Sequence, residues 1–148
     1  MATTVTAADL TVTISESYEL NGVPYGNTPS TTFSAKGKVI QRVMNIATTF
    51  TDIFHTASAD GRGTIVTADW AYFRITNLDD TNYLRLRFYD GGNSIFVLVE
   101  AGGSFFMMNP DMAVFEGGTT FTSFNDITQI AAQAPIEACD VEVLMVTS

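Results

Sequence analysis

The chain has 148 residues with 7 basic and 16 acidic side chains, a net charge of -9 and a single cysteine. A domain of that length hides roughly 68–70% of its unfolded surface and needs no staples, so one domain suffices and an internal disulfide framework is excluded. The acidic balance argues against direct nucleic-acid binding, which rests on Lys and Arg, and no run is long enough to cross a membrane as a helix.

Residues 1–13 carry neither the basic start nor the apolar stretch of a signal peptide, which predicts a chain made and folded in a cytosol. Residues 1–9 read as a flexible N-terminal arm and 10–148 as a single domain. In "LTVTI" (10–14), Leu10, Val12 and Ile14 alternate with Thr11 and Thr13. Strict alternation marks a half-buried strand. The same period returns in "AYFRITNL" (71–78), where Ala71, Phe73 and Ile75 oppose Tyr72, Arg74 and Thr76. In "YLRLRFY" (83–89), Leu84, Leu86 and Phe88 oppose Tyr83, Arg85, Arg87 and Tyr89, and in "DVEVLMV" (140–146), Val141, Val143 and Met145 share a face. One strand is expected over 10–20, and others near 31–35, 38–46, 48–55, 64–67, 94–100, 103–109, 112–116 and 127–132. Turn signals lie at 22–26, 27–29, 60–63, 79–82, 91–93, 102–103, 117–118 and Pro135. With 21 threonines the chain favours strands over helices. The expected fold is all-β, an antiparallel β-sandwich, jelly-roll-like, of about nine or ten short strands. In "NDITQIAAQAP" (125–135), Ile127, Ile130, Ala131 and Ala134 stand at helical spacing behind an Asn/Asp cap. Periodicity leaves helix and strand both open there.

Charge is unevenly spread. Residues 1–87 sum to -1 and residues 88–148, which contain no base, to -8. This reads as a solvated acidic surface, or else as an acidic face for a basic partner.

Few groups suit catalysis. His55 is a candidate general base with Asp52 or Asp60 as orienter, but no Ser or Cys nucleophile motif accompanies it, and a loop-edge histidine is the better reading. Cys139 reads as a small buried apolar residue, because a reactive thiol needs an electropositive setting. One His and one Cys cannot build a structural zinc site. Asp79, Asp80, Asp90 and Asn93 are oxygen donors at no calcium-loop spacing, and Asp and Asn favour turns for backbone reasons of their own. "GRG" (61–63) lacks the helix and Lys of a phosphate cradle. The expectation is a protein that is not an enzyme and needs no cofactor or metal.

The segment "SIFVLVEAGGSFFMMNPDMAVF" (94–115) breaks the alternation, being apolar on both faces. A strand apolar on both faces is covered on both. The second cover is the N-terminal arm, a long loop or another subunit. Because Phe and Met are enriched in interface cores, Phe96, Leu98, Phe105, Phe106, Met107 and Met108 form a candidate subunit interface. Trp70 and Tyr72 fit core or interface equally.

The run "AYFRITNLDDTNYLRLRF" (71–88), followed by "LVEAGGSFFMMN" (98–109), resembles small virion structural proteins of tailed bacteriophages. A strand ends in "ITNLD" (75–79), a polar turn and strand follow, and "AGGSF" (101–105) turns into an apolar strand. "DITQIAAQAPIEACDVEVLMV" (126–146) is similar to the closing strand pair of such proteins, and residues 10–55 match loosely. The resemblance implies a β-sandwich with 125–135 as strand, and a non-enzymatic virion component with no catalytic residue. A capsid cement or decoration protein is the first form, a homo-oligomer with a trimer favoured, fixed to the major capsid protein and stabilising the head. A tail or head–tail neck protein is the alternative. The rival reading is a glycan- or receptor-binding β-sandwich module. It would use Trp70, Tyr25, Tyr83 and Tyr89 as stacking platforms and calcium held by Asp79, Asp80 and Asp90.

Overall fold

The computed structural model describes residues 8–56, 64–66, 70–108, 113–114 and 125–147. In chain order the strands are β1 (Ala8–Thr13), β2 (Tyr18–Leu20), β3 (Val23–Tyr25), β4 (Ser30–Lys36), β5 (Lys38–Ile46), β6 (Thr51–His55), β7 (Ile65–Val66), β8 (Tyr72–Asn77), β9 (Leu84–Tyr89), β10 (Ser94–Val99), β11 (Ser104–Met107), β12 (Ala113–Val114), β13 (Asn125–Asp126), β14 (Gln129–Gln133) and β15 (Cys139–Thr147). No helix occurs among the described residues, and so none long and apolar enough to cross a membrane.

Eight of these strands pair like one long hairpin. β5 meets β15, β6 meets β14, β8 meets β11 and β9 meets β10, all antiparallel. Further pairing of β15 with β8 and of β14 with β9 rolls that hairpin up. The result is a four-stranded sheet, β11-β8-β15-β5, and a five-stranded sheet, β10-β9-β14-β6-β7, in which short β7 joins β6 in parallel. This is jelly-roll order, with nine strands in the two sheets, as the punctuation led us to expect.

Alternation fills the space between the sheets. Phe73, Ile75, Leu84, Leu86, Phe88, Ile130, Val141, Val143 and Met145 are all inside. The rings of Phe88 and Phe105 meet across the sheets at 5.5 Å. Each such side chain stabilises the fold by roughly 1.5–3 kcal/mol. Trp70 belongs to this core. Segment 125–135 is strand and not helix. β14 runs between β9 and β6 and is buried on both faces, so its apolar residues lose the period of two and mimic helical spacing. The chain's acidic half is not an acidic half of the molecule either. β15 lies between β8 and β5, where Glu142 pairs with Arg74 at 3.1 Å and Asp140 accepts from Asn45 at 2.9 Å.

Before the sandwich, residues 8–36 form one long two-stranded ribbon. β1 pairs with β4 and β2 with β3, and Ile14 N–H to Pro29 O and Glu16 N–H to Asn27 O join the two stretches. Asn21 and Gly22 have φ of 53° and 80°, the left-handed pair of a two-residue type I′ hairpin turn. The turn expected at 22–26 is therefore displaced. The chain reverses at Asn21-Gly22, and Val23–Tyr25 is the returning strand, which tolerates Pro24 because both ribbon edges are open. Leu10, Val12 and Phe33 seat the ribbon's base on Tyr72, Val146, Met108 and Leu144, on the outside of the four-stranded sheet. Tyr72 is thus buried by its own chain. Beyond that base every residue from 15 to 32 is exposed. Of the arm expected at 1–9, residues 1–7 lie outside the described residues, and Ala8 and Asp9 belong to β1.

Gly26 holds the ribbon's course. Its φ is 145°, and a Cβ there would collide with the Glu16 carbonyl oxygen. Gly26→Ala should cost roughly 1–3 kcal/mol locally. Hydrogen exchange should quicken at the amides of 18–25 while those of β9 and β15 keep their protection. Unchanged exchange in the ribbon would contradict this account.

Candidate functional site

The two motifs of the 71–109 segment meet at Asn77. This side chain is buried. Its Nδ2 donates to Asn82 O at 2.8 Å and Glu100 O at 3.2 Å, and its Oδ1 accepts from Asp79 N–H at 3.1 Å. Backbone bonds from Asn77 N–H to Gly103 O and from Gly102 N–H to Asp79 O complete the clasp. "ITNLD" and "AGGSF" are therefore two halves of one structural joint, which fixes the loop after β8 against the turn between β10 and β11.

The acidic loop residues serve the same end. Asp79 Oδ1 accepts from the amides of Thr81 at 2.8 Å and Asn82 at 2.6 Å. The Asn82 amide, then that of Thr81, hold its carboxyl below the usual range. Asp80 accepts from Thr81 Oγ1, and Asp90 accepts from the amides of Gly92 and Asn93. These oxygens stabilise their own turns, as Asx geometry does. No group of three or more His, Cys, Asp or Glu that could hold a metal ion occurs among the described residues.

The remaining polar candidates stay apart. Cys139 is buried with its S–H directed at Glu137 O, 3.3 Å away. Burial, then the charge of Asp79, pushes its thiol pKa up, opposite to what a nucleophile needs. His55 lies across the ladder from Gln129, whose Nε2 donates to Asp52 at 2.9 Å. Asp60 lies outside the described residues. The four proposed stacking rings sit on different elements. Trp70 is in the core, Tyr25 is on the ribbon, Tyr83 precedes β9, and Tyr89 bonds through its hydroxyl to Gly91 O.

The six apolar interface candidates divide by parity. Phe105 and Met107 face inward and pack in the core, and Met108 is half-buried against the ribbon's base. Phe96, Leu98 and Phe106 face outward and are 50%, 52% and 43% exposed. The two-sided apolar character of 94–108 is thus half core and half open surface. Phe96 and Leu98 lie on the five-stranded sheet, and Phe106 on the four-stranded one.

Around Phe96 and Leu98 the outer face is organised. Register places Phe96 beside Arg87 and Leu98 beside Arg85. Arg85 donates to Gln133 at 3.1 Å and Arg87 to Gln129 at 2.8 Å. Phe50, from the segment before β6, reaches over this face. Its ring lies 6.2 Å from that of Phe96, with Arg87 at 4.6 Å and Arg85 at 5.8 Å from its centroid. Arg85 also stands 5.1 Å from the Phe96 ring. Each such cation–π contact contributes about 0.5–1 kcal/mol at an exposed site. Ala131 is the outward residue of β14 opposite Arg87, and it is fully buried beneath this layer. Among the described residues neither guanidinium has a carboxylate within ion-pair distance. Nε of Arg87 is buried with no hydrogen-bond partner. The face is therefore apolar and aromatic with two positive charges lying on it, and with the Asp52 carboxylate bonded to Gln129 on its β6 side.

Sequence reasoning missed two members of this picture. Phe50 was expected inside a strand at 48–55, whereas β6 begins at Thr51, and no local pattern shows where a loop ring will land. Arg42 is the other. It alternates with exposed Val39, Gln41 and Val43 on the core side of β5, opposite Val143, with Nε and Nη2 buried and without hydrogen-bond partners. Burial lowers its pKa.

Comparison with protein-family models, with curated proteins and with solved structures gives no match.

Phe88→Ala should remove about 3–5 kcal/mol of stability by opening a cavity. Phe96→Ala and Phe106→Ala should each cost about 1 kcal/mol or less, the range of exposed contacts. Urea unfolding of the dilute protein distinguishes them, and a large loss from Phe96→Ala would place that ring in an intramolecular core.

Proposed function

We propose that this protein is a non-enzymatic virion structural subunit, a capsid cement or decoration protein that self-associates and stabilises the head. One observation carries the reading. Phe96 and Leu98 point outward together from the edge strand β10, with Phe106 on the opposite outer face at β11, and the chain's own described residues leave them open. Clustered exposed apolar side chains on a folded domain mark contact surfaces. Jelly rolls serve in viral capsids and in lectins alike, so the fold alone selects nothing. The resemblance over 71–146 to phage virion proteins favours the first. Further copies of the chain, in a closed ring such as a trimer, and the major capsid protein are the partners this reading requires. A tail or neck position would use the same surfaces.

A glycan-binding module is the second reading. An open groove of about 710 Å³ on the ribbon, lined by Glu16, Pro24, Tyr25, Gly26, Asn27 and Thr28, favours it. Against it, Trp70 is buried and neither Tyr83 nor Tyr89 joins Tyr25 in that groove.

Light scattering across a dilution series, with parallel titration of monosaccharides, separates the two. The structural reading expects a closed oligomer at high concentration and no sugar binding. A monomer at every concentration that binds sugar, and loses it on Tyr25→Ala, would replace that reading with the second.

A further inference from the structure

The ribbon has an apolar face that the described residues leave open. Register pairs Tyr18 with Tyr25 and Leu20 with Val23, which sets all four on one face and Glu19 and Pro24 on the other. The four are between 48% and 58% exposed, with the tyrosine rings 6.0 Å apart. From its anchor at Leu10 and Phe33 the ribbon extends by about ten residues per strand, or about 30 Å at 3.3 Å each. That is close to the width of a small domain, far enough to lie on a neighbour. The left-handed Asn21-Gly22 turn and the close approach at Gly26 give it a defined shape, so little ordering cost is left for binding.

Charge chooses where this tip docks. No Lys or Arg precedes Lys36, and Glu16 and Glu19 flank the tip. Glu16 borders the groove that also contains Tyr25. The outer face of the four-stranded sheet offers Val39, Val43 and Phe106 but also carries Asp140 and Glu142, with Arg74 already paired. An acidic tip is repelled there. On the five-stranded sheet, Phe50, Phe96 and Leu98 lie beside Arg85 and Arg87, whose bonds go to amide oxygens and aromatic faces rather than carboxylates, and the one carboxylate of that face among the described residues, Asp52, is already bonded to Gln129. Opposite charges around matched apolar patches set both encounter and register.

Resting on the reading that the protein self-associates, we infer that the Tyr18–Leu20–Val23–Tyr25 face of one copy's ribbon docks on the Phe96–Leu98 face of a second copy, with Glu16 opposed to that copy's Arg85 and Arg87. The two patches differ, so the contact is heterologous, and it closes into a ring when the rotation between copies permits.

The test uses the full chain and its mass by light scattering over a dilution series. Three variants alter exposed positions: Leu20→Asp and Glu16→Lys should leave the monomer's thermal unfolding unchanged, and Arg85→Glu, which gives up two ring contacts and the bond to Gln133, should lower its midpoint while the monomer still folds. Each should weaken association at least tenfold, and the combined Glu16→Lys/Arg85→Glu chain should recover most of it. An unaltered oligomer in all three variants overturns the ribbon contact while the self-association reading stands. Loss in both charge variants with no recovery in the combined chain also overturns the pairing. A wild-type chain that is monomeric at every concentration removes the self-association reading, and this inference with it.

Discussion

A sheet in a two-layer sandwich can bury one face in the shared core, and its other face must be wetted, covered by its own chain, or covered by another molecule. That constraint organises this protein. The inner faces are filled by the alternating residues of β8, β9, β14 and β15. On the outside of the four-stranded sheet, Tyr72 and Val146 are covered by the base of the ribbon. Lower on the same face, Thr76, Ser104, Asp140 and Glu142 are hydrogen-bonded polar groups that suit water. On the outside of the five-stranded sheet, Gln129, Gln133 and Asp52 are polar, but Phe96 and Leu98 stay half exposed among the described residues. We propose that another molecule supplies the cover that the described residues do not.

The arginines make such a surface tolerable in a free subunit. A guanidinium is planar and weakly hydrated, so it lies over an aromatic ring without giving up all of its solvent. Arg85 and Arg87 each do so, against Phe50 and against Phe96 or Tyr89. Their charge keeps the patch compatible with water in isolation, and the rings supply apolar area on contact. The ribbon is the complement we infer for it. It contributes little to the sandwich beyond its base, and its tip is built rather than loose, with a left-handed turn and tyrosines paired across the strands.

Much of the fold was legible because half-buried strands carry their own period. "YLRLRFY" and "DVEVLMV" assign Leu84, Leu86, Phe88, Val141, Val143 and Met145 to the core by alternation, and all six are buried. Where the period failed, the cause was burial on both faces, as in β14. Segment 94–108 was legible as an anomaly, but only the pairing register separates Phe105 from Phe106 or Phe96 from Val97. The ribbon was half seen. Asn21-Gly22 is a strong hairpin signal, yet the richer Gly and Pro content of 22–26 spread the expected turn over the returning strand Val23–Tyr25. Pairing order is not local at all. Nothing in β5 or β15 alone names the other as partner, nor does Asn77 announce that it will reach the turn at 100–103. Phe50 and Arg42 belong to that class, placed by tertiary packing that short-range patterns do not encode.

The claim at the centre of this account is that the outward apolar side chains are contact surface. Hydroxyl-radical labelling at rising protein concentration, mapped residue by residue, measures that cover directly. Phe96, Leu98, Tyr18 and Tyr25 should lose labelling together as copies associate, while exposed Ile136 serves as the internal reference and keeps its own. Labelling of all five that stays constant from dilute to concentrated solution would contradict the account.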